Sequence, residues 1–141
     1  MNEAISLETI NWQEFKNQFE SSFGFKFELI EDPGDINCSL LHAINWINVD
    51  NWESMTDLEI LNTILPSESE KDKYFIVSES TYTNHDGPFI LADGDFEKFF
   101  KVHFTENGEC LFNGDTLIVS FAKHQIIFFH HEGVYAVFID N

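Results

Sequence analysis

Arginine is absent from this chain and lysine is scarce, so that 7 cations stand against 25 carboxylates and the formal net charge is -18. Without guanidinium groups the chain lacks the usual bidentate clamp for phosphate or carboxylate. A surface of this sign repels nucleic acid and anionic lipid, which argues against direct nucleic-acid binding and against a membrane partner. Cysteine is nearly missing as well. Cys38 and Cys110 allow at most one staple, which excludes a disulfide framework, and both are read as reduced, buried thiols. No uncharged run reaches the roughly 18 residues that a membrane-crossing helix needs. Met1 to Ile10 has neither a basic n-region nor an apolar h-region, so a cytoplasmic location is expected. Prolines and glycines are few and scattered, and no repeat or low-complexity tract divides the chain; one acidic domain over residues 1–141 is expected.

Aromatic residues are abundant. The chain is 43% apolar and 16% aromatic, with 16 phenylalanines, 3 tryptophans and 3 tyrosines. Acidity without such residues would describe a disordered tail, whereas this many rings can bury enough area to fold the chain. The surplus charge then belongs on the surface of a folded protein.

Local patterns sort into helices first and strands later. Asn11 is followed three positions on by Glu14, and Trp12, Phe15 and Phe19 recur at helical spacing until Phe23-Gly24, which predicts an amphipathic helix. Phe23, Phe25, Phe27 and Leu29 alternate and predict a strand closed by the Pro33-Gly34 turn. Residues from Ile36 to Ile47 carry Leu40, Leu41, Ile44 and Ile47 on a helical face. Ser54 or Thr56 starts another helix with Leu58, Leu61, Ile64 and Leu65 as its apolar stripe, ended by Pro66. Strands are predicted at Tyr74–Val77 and Phe89–Leu91, joined by a polar connection containing His85-Asp86-Gly87-Pro88. A helix is predicted to carry Phe96, Phe99, Phe100 and His103. Four β-rich runs follow, at Glu109–Phe112, Thr116–Phe121, Gln125–His130 and Val134–Ile139, a spacing that calls for an antiparallel meander. Ile126 to Phe129 and Val134 to Ile139 are apolar on both parities, so helices should cover one sheet face while the other is also packed or bound. The expected fold is α+β, with N-terminal and central helices packed on a mainly antiparallel C-terminal sheet.

Catalytic chemistry finds little support. His130-His131-Glu132 offers metal donors, yet adjacent histidines on a strand point to opposite faces, unlike two ligands one helical turn apart. His42, His85, His103 and His124 fall in different predicted elements. Asp93-Gly94-Asp95-Phe96-Glu97 lacks the ligand pattern of a calcium loop and reads as the charged start of a helix. Ser39, Ser120 and Cys38 have no nucleophile elbow around them, and no glycine-rich phosphate cradle is present. No cofactor, metal site or enzymatic activity is predicted.

Binding is the better reading. The carboxylates form blocks at Glu28, Glu31, Asp32 and Asp35; at Asp50, Glu53, Asp57 and Glu59; at Glu68, Glu70 and Asp72; and at Asp93, Asp95 and Glu97. Together they make a net charge whose self-repulsion folding alone does not require, and whose natural complement is a basic protein. Trp46, Trp52 and Tyr82 stand in polar surroundings and are candidate aromatic anchors. The partner-facing surface is therefore predicted to comprise Trp46, Asp50, Trp52, Glu53, Asp57, Glu59, Tyr82, Asp86, Asp93, Asp95 and Glu97. The segment Asp93-Gly94-Asp95-Phe96-Glu97-Lys98-Phe99-Phe100, the hairpin Phe128-Phe129-His130-His131-Glu132-Gly133-Val134-Tyr135 and the acidic α+β body resemble bacterial immunity proteins of contact-dependent inhibition and related polymorphic-toxin systems. The resemblance implies a cytoplasmic protein that binds and neutralises a cognate toxin domain, commonly a nuclease. Two alternatives stay open: a nucleic-acid mimic that inhibits a DNA-handling protein, and a small carboxylate- or metal-dependent enzyme. Monomer and homodimer are equally compatible with the sequence.

Overall fold

The first helix, α1 (Trp12–Phe23), is capped at both ends by its sequence. The Asn11 side chain accepts hydrogen bonds from the backbone N–H groups of Gln13 at 2.8 Å and Glu14 at 3.3 Å, which satisfies two donors that have no partner inside the helix. Gly24 ends it in the left-handed region at φ 82, donating its N–H to the Glu20 carbonyl at 2.9 Å. Phe15, Phe19 and Phe23 form one buried row between these caps. The computed structural model describes residues 8–24, 47–64, 73–78, 87–91, 96–108, 110–130 and 132–139.

Two further helices, α2 (Asp57–Ile64) and α3 (Phe96–Asn107), accompany a six-stranded sheet of β1 (Ile47–Asn48), β2 (Tyr74–Val77), β3 (Phe89–Leu91), β4 (Thr116–Ser120), β5 (Gln125–His130) and β6 (Val134–Ile139). The strand order is β1-β6-β5-β4-β2-β3 and every pairing is antiparallel. The meander β4-β5-β6 lies where the sequence predicts it, but the sheet also recruits strands from the middle of the chain. Beyond β3, Thr9 forms a bridge with Phe89, and Ile90 and Ile10 donate N–H groups to the carbonyls of Glu8 and Pro88, so the start of the described chain covers this sheet edge.

Helices occupy both faces, which explains why β4 and β5 are apolar on both parities. On one face α1 packs its phenylalanine row over Phe75, Val77, Leu117, Val119, Ile126, Phe128 and Ala136. On the other, α2 and α3 place Ile60, Leu61, Ile64, Phe96, Phe99 and Phe100 over Tyr74, Ile76, Ile118, Ile127 and Phe129. Phe121, in the β4–β5 turn, meets Phe75 at a centroid distance of 4.8 Å and Phe15 at 5.7 Å. That turn residue thereby joins α1 to the sheet.

The β5–β6 connection contains Gly133 at φ 85, whose N–H donates to the His130 carbonyl at 2.9 Å. A Cβ at this glycine would lie 2.1 Å from Cδ1 of Trp52. Both the backbone conformation and the neighbouring ring therefore require glycine.

Three sequence expectations are corrected. Ile47 is not the end of a helical face: it pairs with Tyr135 in the edge strand β1, with 44% of its surface exposed. Leu111 and Phe112, predicted to end a strand, lie instead in a 3-10 turn over Leu111–Asn113. The buried stripe of α2 is Asp57, Ile60, Leu61 and Ile64, while Leu58 faces outward. The predicted strand after Gly24, Leu65, and the helical positions before Ile47 lie outside the described residues.

Candidate functional site

The start of α2 builds one wall of a groove. Thr56-Asp57-Leu58-Glu59 is a reciprocal cap: the Glu59 N–H donates to Thr56 Oγ1 at 3.2 Å, and the Thr56 N–H donates to Glu59 Oε1 at 3.1 Å. Asp57 turns the other way. Its carboxylate is buried and accepts the Leu111 N–H at 2.9 Å on Oδ2 and the Phe112 N–H at 3.2 Å on Oδ1. Two charge-assisted hydrogen bonds thus fasten the 3-10 turn to the N-terminal end of α2. They also draw that segment away from strand pairing.

The opposite wall is α3, which packs against both α2 and the 3-10 turn. Between them lies an open groove of about 650 Å³, lined by Thr56, Asp57, Leu58, Glu97, Phe100, Lys101, Phe104, Thr105 and Cys110. Phe104 is 54% exposed and Leu58 36%, making them two of the three large apolar residues most open to solvent among the described ones. Cys110 carries no disulfide and is half-buried. The polar groups of the lining have partners within the protein. Thr105 Oγ1 donates to the Lys101 carbonyl at 2.9 Å, Lys101 Nζ lies 3.6 Å from Glu97 Oε1, and Thr56 and Asp57 are engaged as described. What the groove offers a visitor is therefore chiefly apolar contact.

The predicted partner-facing residues separate when placed in the fold. Asp50, Glu53, Glu59 and Glu97 are exposed. Trp52 is half-buried, its ring 5.9 Å from that of Phe129 and resting against Gly133, so it joins the margin of the core while part of it reaches the surface. Asp57 is corrected from a surface charge to a buried acceptor. Of the described members of the set, Asp57 and Glu97 alone line the groove. Trp46, Tyr82, Asp86, Asp93 and Asp95 lie outside the described residues. Sequence reasoning gives none of Leu58, Phe104 and Cys110 a place in the site: it reads Leu58 as core and Cys110 as a buried thiol, whereas Leu58 is exposed and Cys110 half-buried. The available signal in α3 was periodicity: Phe104 follows Phe100 by four positions, about 40° around the helix, and so prolongs the Phe96-Phe100 row past the residues that are buried.

Among the described residues no three His, Cys, Asp or Glu side chains gather in an arrangement that could hold a metal ion. His103 is buried beside Phe99, His124 is exposed in the β4–β5 turn, and His130 is half-buried at the end of β5. Ser120 is buried, with Oγ accepting the Lys123 N–H at 3.2 Å, and Lys123 Nζ in turn donates to the Tyr74 hydroxyl at 3.2 Å. These contacts fix the turn over Tyr74. No helix of the described chain is long and apolar enough to cross a membrane. Comparison of the chain with protein-family models, with curated proteins and with solved structures gives no match.

Proposed function

We propose that this protein binds a cognate, basic toxin domain, with a nuclease favoured, and neutralises it by electrostatic and steric occlusion. The observation that carries this reading is the outward placement of charge. Glu8, Glu14, Glu20, Asp50, Glu53, Glu59, Glu97, Glu106 and Glu132 are all exposed. Several lysines are engaged close at hand: Lys101 with Glu97, Lys123 with Tyr74, and Lys16 over the Trp12 ring at 5.6 Å. These contacts hold the lysines in place without changing their charge, and 7 cations against 25 carboxylates leave the field strongly acidic. A domain that grips phosphate carries the opposite field, and carboxylates over its cleft would occupy the places of phosphates. Occlusion needs no reaction at the interface, and the groove supplies an apolar element beside the charge.

The test is binding to the polypeptide encoded beside this gene. Co-expression should rescue growth, and the purified pair should form a stoichiometric complex. Association should be fast at low salt, on the order of 10⁸ M⁻¹s⁻¹, and fall steeply as ionic strength rises. A soluble, expressed neighbour that fails to bind even at low salt overturns the proposal.

A further inference from the structure

Building on the toxin-binding reading, we infer that the groove between α2 and α3 seats a large apolar side chain that the basic partner presents among its lysines or arginines, with Leu58 and Phe104 gripping it from either wall. The first argument is that the threonine and aspartate groups of the lining already have hydrogen-bond partners inside the protein, while its ion pair, Lys101 with Glu97, stands mostly in water. Thr56, Asp57 and Thr105 are committed to backbone partners, and Lys101 is balanced by Glu97. An apolar group entering the groove therefore does not have to break an internal hydrogen bond, whereas a polar one would be desolvated with little return.

The second argument is exposure. Phe104 and Leu58 leave 54% and 36% of their surface in water, although neither belongs to either core. Covering them would supply the desolvated centre that concentrates binding energy in protein interfaces. The groove's volume of about 650 Å³ is ample for an aromatic or long aliphatic side chain.

Charge chooses among occupants. A second copy of this chain would bring another -18 to the same face, and like fields oppose that association. A basic segment meets no such barrier. At the groove itself Glu97 and Lys101 offset each other, and Glu59, exposed at the Thr56 end, leaves the local balance acidic, which favours flanking cations over flanking carboxylates.

The experiment compares wild type, Leu58→Gln and Phe104→Gln in stopped-flow association and dissociation with the neighbouring-gene polypeptide. Both substitutions keep a good helix former at an outward position. Cys110 alkylation is followed in parallel by peptide mass mapping, with and without that polypeptide. Each variant should dissociate roughly tenfold faster or more, with association changed by less than about threefold, and the wild-type complex should protect Cys110. Dissociation within twofold of wild type for both variants, or Cys110 alkylated as fast in the complex as alone, overturns the groove while leaving the toxin-binding function standing. Absence of any wild-type complex overturns the function and the groove together. Cys110 protection that rises with the protein's own concentration, without the neighbour, assigns the groove to a second copy instead.

Discussion

Asp57 and Glu59 stand two positions apart at the start of α2 and use the same functional group in different ways. Glu59 is exposed and closes a local cap, whereas Asp57 is buried and reaches a segment more than fifty positions later in the chain. The difference should be measurable. Thr56→Ala removes an N-cap acceptor and should cost about 1 kcal/mol. Asp57→Ala leaves two buried N–H groups without an acceptor and should cost roughly 3 kcal/mol. Asp57→Asn should recover little, since its amide can accept one of the two bonds and would set a donor against the other. Urea denaturation of the three variants decides this. Equal losses for Thr56→Ala and Asp57→Ala would mean that the 3-10 turn is held by its apolar residues, not by the carboxylate.

Among the elements, the hairpin joining β5 to β6 makes the sharpest claim. Gly133, Gly24 and Gly108 all have positive φ, but a Cβ would meet nothing within 4 Å at Gly24 or Gly108, and would strike the Trp52 ring at Gly133. Alanine at Gly24 or Gly108 should therefore cost about 1 kcal/mol, the ordinary penalty for a left-handed alanine. At Gly133 the loss should be at least twice that, because the ring of Trp52 must leave Phe129. Thermal unfolding of the three alanine variants tests the contrast, and three equal shifts would show that Trp52 yields without resistance.

The legibility of these elements in the sequence follows the range of the forces that make them. The two caps of α1, the strand β2 and the hairpin strands depend on neighbours in sequence, and their residues announce them. Leu111 and Phe112 looked like part of a strand because the group that holds their N–H groups is the Asp57 carboxylate, which no local window contains. Leu58 was assigned inward because leucine is apolar, yet Asp57 holds that inward position by hydrogen bonding. The exposed acids of the predicted surface were readable from composition. The groove was not, since it is a relation between two helices and a turn that are distant in sequence.

Over the whole molecule, the net charge of -18 should set how stability responds to salt. Unscreened repulsion among outward carboxylates works against the folded state, and raising ionic strength from about 0.01 to about 1 M shortens the Debye length from about 30 to about 3 Å. The melting temperature should therefore climb with sodium chloride, most steeply at the low end. A melting temperature that falls with added salt would show that ion pairs such as Lys101–Glu97 outweigh the repulsion. The same salt series slows the proposed encounter with a basic partner, so stability and association rate should move in opposite directions.

The sheet clothed on both faces also divides the labour of the side chains. Its inward residues are spoken for by α1 on one side and by α2 and α3 on the other, while Leu58, Lys101, Phe104 and Thr105 line the groove from outside both cores. Shape and affinity are thus written in nearly separate alphabets, with Phe100 and Asp57 as shared letters. A scaffold arranged in this way can be taught a new partner by rewriting a few outward positions on two helices, without renegotiating the architecture that holds them in place.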